Sequence, residues 1–334
     1  MNTHHSHEHH EAVREDSKSK YMLPGAIVIA GVIVASGIFL KSSSDDRYRT
    51  LKASQVRENE PTQDTTLVDE ELTPLSGVRL PVVWGDLGVQ LVKTGAIDGE
   101  RLRALYEERG QFSKDDEKLL FGKSTDRLVI TPKNAGLILN LLWALGLAQD
   151  NPILTQGEMV DKRYGGAQNF ASTGGWTMAK GNAMDHYSKH VFFNLTPEQQ
   201  ALVDKVSRTV YRPCCGNSTH FPDCNHGMAM LALLELMASQ GATEAEMYKA
   251  GVAVNSFWFP DQYEILATFI RQSGGDWKTA NPQTILGASM SSAQGFSKIA
   301  SQVRGPIQSS GGGSGCGVDT GGATSQRRSS GCGI

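Results

Sequence analysis

The sequence predicts a mainly α-helical protein: a single N-terminal transmembrane helix followed by one all-α globular domain. Three observations carry that reading. An uncharged run lies near the N-terminus, helix-start signals recur through the middle of the chain, and the segment from His226 to Gly241 is apolar on nearly every side.

The uncharged run is "MLPGAIVIAGVIVASGIFL", Met22 to Leu40. A helix needs about 20 apolar residues to cross a bilayer. A cleaved signal peptide is the rival reading, with "VAS" around Ala35 as its cleavage site. The run continues past that point to Leu40, which favours an uncleaved anchor. Arg14, Lys18 and Lys20 precede it and Lys41, Arg47, Arg49 and Lys52 follow it, so the positive-inside count gives no orientation. Signal anchors with a large C-terminal domain usually export that domain. The domain is therefore expected in the periplasm or at the cell surface, as part of a single-pass membrane protein.

Residues 1–21 hold His4, His5, His7, His9 and His10. They read either as an interrupted purification tag or as a native tract that binds metal loosely. Residues 41–76 are polar and mixed in charge, with too little apolar material for a core, and read as a spacer. The α-helical domain is expected over 77–304. A flexible Gly/Ser tail, 305–334, follows and carries Cys316 and Cys332, each in the setting "GCG".

Inside the domain, Thr131-Pro132 sets a cap and a first-position proline before "NAGLILNLLWALGLAQ". "TPEQ" at Thr196 adds Gln199 as the third member of a capping box, and "TEAE" at Thr243 is another. Asn281-Pro282 is a further cap. "RLVIT", Arg127 to Thr131, is one short strand or an extended lead-in. "HGMAMLALLELMASQG", His226 to Gly241, reads as a buried central helix with Gly241 as its stop. The net charge is −3 and no basic-aromatic pattern is present, so no nucleic-acid partner is expected.

The chemistry gathers in "YRPCCGNSTHFPDCNHGMAM", Tyr211 to Met230, which leads into the N-terminal, electropositive end of that helix. Cys214 and Cys215 are adjacent. Cys224, His226 and Met228 alternate, and Met230 continues the series, so a helix starting near Asp223 would put Cys224 with Met228 and His226 with Met230 on shared faces. His220 and Asp223 are further candidate donors. Thiolate, imidazole and thioether together suit copper. Zinc is the alternative, held by Cys214, Cys215, Cys224 and His226 in a tetrahedral set. Neighbouring side chains tend to diverge, which counts against that set. His186 and His190 in "MDHYSKH", and the tail residues Cys316 and Cys332, are accessory candidates. "FASTGGWTMAKGNAM" offers either an anion-binding turn at Ser172–Gly175 or an ordinary loop with Trp176 in the core.

Two other readings stand beside the metal site. Cys224 bonded to Cys214 or Cys215 would staple the loop, leaving Met228 and Met230 as core filler. A thiol at a helix N-terminus beside a histidine is also a nucleophile, and a vicinal pair with a third cysteine can exchange disulfides. On the metal reading the protein is membrane-anchored and holds, delivers or senses a soft metal. Its partner would be another envelope metal or redox protein.

The run "YRPCCGNSTHFPDCNHGMAMLALLELMA", with "ASTGGWTM" before it and "NSFWFPDQY" after it, resembles a group of uncharacterised prokaryotic membrane-anchored envelope proteins that share the RPCC…FPDCNHGMA segment. The resemblance covers much of residues 80–300. It implies an anchor followed by a cysteine-rich domain, and it brings no established activity to any residue.

Overall fold

In "VRLPVVWG", Leu80, Val82 and Trp84 are buried while their neighbours stay partly or fully exposed. That period of two is the signature of a strand, not a helix. The computed structural model describes residues 70–303, which lie in one of two compact units of the chain, Gln63–Ile334. Strand β1, Val78–Gly85, pairs antiparallel with β2, Ser124–Ile130, with Val78 opposite Ile130 and Gly85 opposite Ser124. The domain is thus mainly α with a two-stranded sheet, and the all-α expectation is corrected to that extent. The short strand expected at Arg127–Thr131 is the second half of β2.

Between the strands lie α1, Leu87–Thr94, α2, Gly99–Glu108, and α3, Lys114–Phe121. After β2 come α4, Ala135–Ala148, and α5, Pro152–Gln156, then isolated 3-10 turns between Glu158 and Asp185. The second half holds α6, Pro197–Ser207, α7, Asn225–Ser239, α8, Glu244–Trp258, and α9, Pro260–Gln272. Three short helices close the fold: α10, Pro282–Leu286, α11, Ala288–Ser291, and α12, Ala293–Ala300.

The centre is the pair α4 and α7. Both are apolar nearly all round, so each must be covered on every side. Gly146 lets them approach closely, since a Cβ there would collide with the Met228 carbonyl. At the far end of α7, the Gln240 side chain takes a hydrogen bond from the Val83 amide and gives one to the Val83 carbonyl, both 2.8 Å. Its amide group thus completes the edge of β1 as another strand would.

The capping signals at Thr196 and Thr243 are realised as reciprocal boxes with Gln199 and Glu246. Asn281 caps α10 with Pro282 inside its first turn. The Thr131-Pro132 signal differs. Thr131 and Asn134 hydrogen-bond each other across a turn, and the helix starts at Ala135.

Packed chain also begins earlier than the expected start of the domain. Leu72 is buried with Ala267 and beside Trp277, and Glu71 pairs with Arg271 at 2.7 Å. Among the described residues no helix is long and apolar enough to cross a membrane. The expected span Met22–Leu40, the His tract and the tail with Cys316 and Cys332 lie outside the described residues.

Candidate metal centre

The loop from Val210 to Cys224 is pinned from several sides. The Tyr211 amide donates to the Leu286 carbonyl, and Asn255 Nδ2 donates to the Tyr211 carbonyl. Arg212-Pro213-Cys214-Cys215 then makes a turn closed by the Cys215 amide on the Arg212 carbonyl. Proline in the second position presets the backbone for such a turn. The turn explains why the vicinal sulfurs converge where neighbouring side chains were expected to diverge. Cys214 Sγ lies 3.6 Å and Cys215 Sγ 3.7 Å from Cys224 Sγ. All three cysteines are free thiols, so no disulfide staples the loop here.

Cys224 is the N-cap of α7, and its sulfur accepts from the Gly227 amide at 3.4 Å. The helix starts one residue later, at Asn225. His226, in the first turn, brings Nδ1 to 3.9 Å from Cys214 Sγ. Its ring packs against Phe259 with centroids 4.4 Å apart and beside Trp258 at 5.8 Å. Cys214, Cys224 and His226 therefore offer three donor atoms within 4.8 Å of one another, enough to hold a metal ion. Cys215, Asp223 and Cys224 form a second such group, and Cys224 is common to both.

Arg212 is the residue that sequence reasoning missed. Its guanidinium is 1% exposed and every nitrogen is used. Nε donates to Cys224 Sγ at 3.1 Å, Nη1 to the Asn217 carbonyl at 2.8 Å, and Nη2 to Asp223 Oδ1 at 2.5 Å and the Phe221 carbonyl at 3.3 Å. One side chain thus ties the turn, the loop and the sulfur together. Gly227 makes room for it, since a Cβ there would stand 2.5 Å from Nη2. A signal was present: Arg212 and Asp223 are the one cation and the one anion of the Tyr211–Met230 stretch, His aside. Paired charges in a segment this apolar mark a buried ion pair.

These contacts set the charges. Burial would push the Cys224 thiol up, but hydrogen bonds from Cys214 and Cys215, the Arg212 charge and His226 hold it well below the usual thiol range. The Cys214 thiol moves the opposite way, raised by its hydrogen bonds with Cys215 and Cys224 and by burial. Cys215 is pushed up to about 12: its contact with Cys214 lowers it, and the Cys224 contact and burial outweigh that. Cys224 therefore gives up its proton more readily than Cys214 or Cys215. Asp223 is raised by burial despite Arg212.

The other expected donors have partners of their own or belong to the core. His220 uses both ring nitrogens, on Glu158 Oε2 at 2.9 Å and Asp204 Oδ1 at 2.8 Å, and fixes the loop to α6 at the edge of a cleft of about 580 Å³. This corrects its assignment as a ligand. His186 Nδ1 meets His190 Nε2 at 3.0 Å, and His186 Nε2 faces the Lys180 carbonyl at 3.1 Å, so this pair satisfies itself away from the sulfurs. Met228 and Met230 belong to the hydrophobic core, with Met230 Sδ 3.9 Å from where a Cβ on Gly251 would stand. Ser172 and Thr173 are fully buried, and Trp176 fills the core. The ordinary-loop reading of that stretch holds, with one addition. Trp143 Nε1 donates to the Ser172 carbonyl and the Ser172 amide donates to the Asp223 carbonyl, so α4 braces the residue before Cys224.

No family model, no curated protein and no solved structure matches this chain. The site's own geometry therefore carries the functional argument.

Proposed function

We propose that the domain binds a single soft metal ion at Cys214, Cys224 and His226, and that this ion is monovalent copper. The observation that carries the reading is the convergence of two sulfurs and an imidazole nitrogen within 4.8 Å at the start of a core helix. Thiolate and imidazole are donors for soft and borderline metals. Cys224 is held by the helix, Gly227 and Arg212, so little ordering remains to be done when the ion arrives. A buried site with three donors suits monovalent copper, which accepts low coordination numbers.

The position of Cys215, 3.7 Å from Cys224, favours zinc as a second reading, because a small shift of its sulfur toward His226 would make the four-donor set that zinc prefers. Holding, delivery or sensing of the metal at the cell envelope, by a membrane-anchored chain handing over to a metal or redox partner, completes the proposal.

Metal content per chain after purification without added metal, alongside a thiol count, tests it. The reading expects about one copper per chain and loop thiols that become titratable when the metal is removed. Zinc at one per chain would favour the four-donor set. A metal-free chain that takes up neither ion would contradict both.

A further inference from the structure

Three sulfurs in contact, none of them bonded, can do more than hold an ion. Cys224 Sγ is fully buried and cannot meet another molecule directly. Cys215 is buried too, and its sulfur lies 3.8 Å from the Asp223 carboxylate, which repels a thiolate there. Cys214 is the only one of the three that is half-buried rather than buried, and its sulfur lies 3.6 Å from Cys224. The cluster therefore has a door and a back wall.

We propose that Cys214 and Cys224 form a reversible dithiol–disulfide couple that reacts with small-molecule disulfides and, in closing, releases the bound metal. The release step rests on the metal reading above. The couple itself rests on sulfur geometry and exposure.

Cys214, the sulfur within reach, passes its proton to Cys224 Sγ 3.6 Å away and attacks one sulfur of a disulfide RSSR. The S–S bond of RSSR breaks, RS⁻ leaves, and a mixed disulfide forms on Cys214. The leaving RS⁻ takes that proton and frees Cys224 for the second step. Cys224 Sγ then attacks Cys214 Sγ, closing from 3.6 Å to the roughly 2.05 Å of a bond, and the second RS⁻ leaves. In sum, two protein thiols and RSSR give one Cys214–Cys224 bond and two RSH. The protein loses two electrons and RSSR gains them. Starting from the metal-loaded site, the same closure consumes two of the three donors, so the ion departs with its oxidation state unchanged.

The surroundings make the closure reversible. Arg212 Nε and the Gly227 amide both point at Cys224 Sγ, at 3.1 and 3.4 Å. They are strong partners for a thiolate and poor ones for a disulfide sulfur, so they favour the reduced pair. A disulfide whose reduced form is stabilised in this way is readily reopened.

The full chain, reduced and loaded with one equivalent of monovalent copper, is equilibrated with mixtures of reduced and oxidised glutathione. Peptide mapping without reduction reads the bond, thiol titration reads the electron count, and a chromophoric chelator reads the released metal. The expected result is a Cys214–Cys224 cross-link, a loss of two thiols from the loop, and copper release in step with both. C214S should form no bond at Cys224. A chain that keeps its copper and forms no Cys214–Cys224 bond overturns the couple and spares the metal reading. Cys224 paired with Cys215 or with a tail cysteine also overturns the couple. A chain that never takes up copper yet forms the Cys214–Cys224 bond overturns the metal reading and spares the couple.

Discussion

Arg212 Nε lies 3.1 Å from Cys224 Sγ, and both atoms are out of reach of water. A guanidinium buried this completely must be paid for by its partners, and here they are one sulfur, one carboxylate and two carbonyls. Arg212→Met leaves Asp223 and the sulfur without their cation. Breaking a buried pair of this kind costs about 3–5 kcal/mol. Denaturant unfolding of R212M should show a loss of that order. A loss near zero would mean that the guanidinium contributes nothing to the fold of the loop.

Gly227 tests the same relationship from the other side. Gly227→Ala puts a methyl group where the guanidinium sits, 2.5 Å from Nη2. The expected cost is about 1–3 kcal/mol in stability, as for other overpacked sites. Displacing a residue that orients a metal ligand should also weaken metal binding by roughly 10–100-fold. Unfolding curves and a competition titration on G227A read the two effects separately. Wild-type values for both would show that the loop shifts freely around Arg212.

The parts of this account that were legible in the sequence are those written in short-range signals. The boxes at Thr196 and Thr243 sit within four residues of chain, and the burial of α7 is visible in its composition. The cysteine cluster was legible as a gathering of donors, and Cys224 as the one at a helix start. Two things were not. Strand β1 was missed because Leu80, Val82 and Trp84 alternate over only a few residues beside a helix-like segment, and its partner is distant in sequence. The role of His220 was missed because spacing places it next to the sulfurs in the chain, whereas packing decides where its ring ends. His220 found two carboxylates, from Glu158 and Asp204, that no local pattern announces.

That misplacement yields a prediction. His220→Ala should leave copper affinity within a few-fold of wild type while lowering stability by about 1 kcal/mol, the scale of lost hydrogen bonds to half-exposed partners. A collapse of affinity in H220A with unchanged stability would return His220 to the ligand set.

Glu235 gives the pH dependence. It is fully buried in the middle of α7, with Asn151 Nδ2 donating to Oε1 and no partner for Oε2. Burial raises its pKa well above the ordinary 4.5, against the Asn151 hydrogen bond and with help from Asp150. A carboxyl raised on folding stabilises the fold fully below the unfolded value and loses that contribution as pH rises through the folded one. The stability of wild type relative to Glu235→Gln should therefore fall as pH rises from about 4.5. Unfolding of both proteins across that range checks it, and a constant difference would contradict a raised carboxyl.

The central claim is that one metal sits on Cys224 and reaches Cys214 and His226. Competition with a chelator for monovalent copper, run on wild type, Cys224→Ser and His226→Ala with a melting curve for each, tests it most directly. The account predicts tight binding in wild type, its loss in C224S, and a weaker affinity in H226A. It also predicts that all three melt as folded proteins without metal. Copper affinity that ignores both Cys224 and His226 would contradict it.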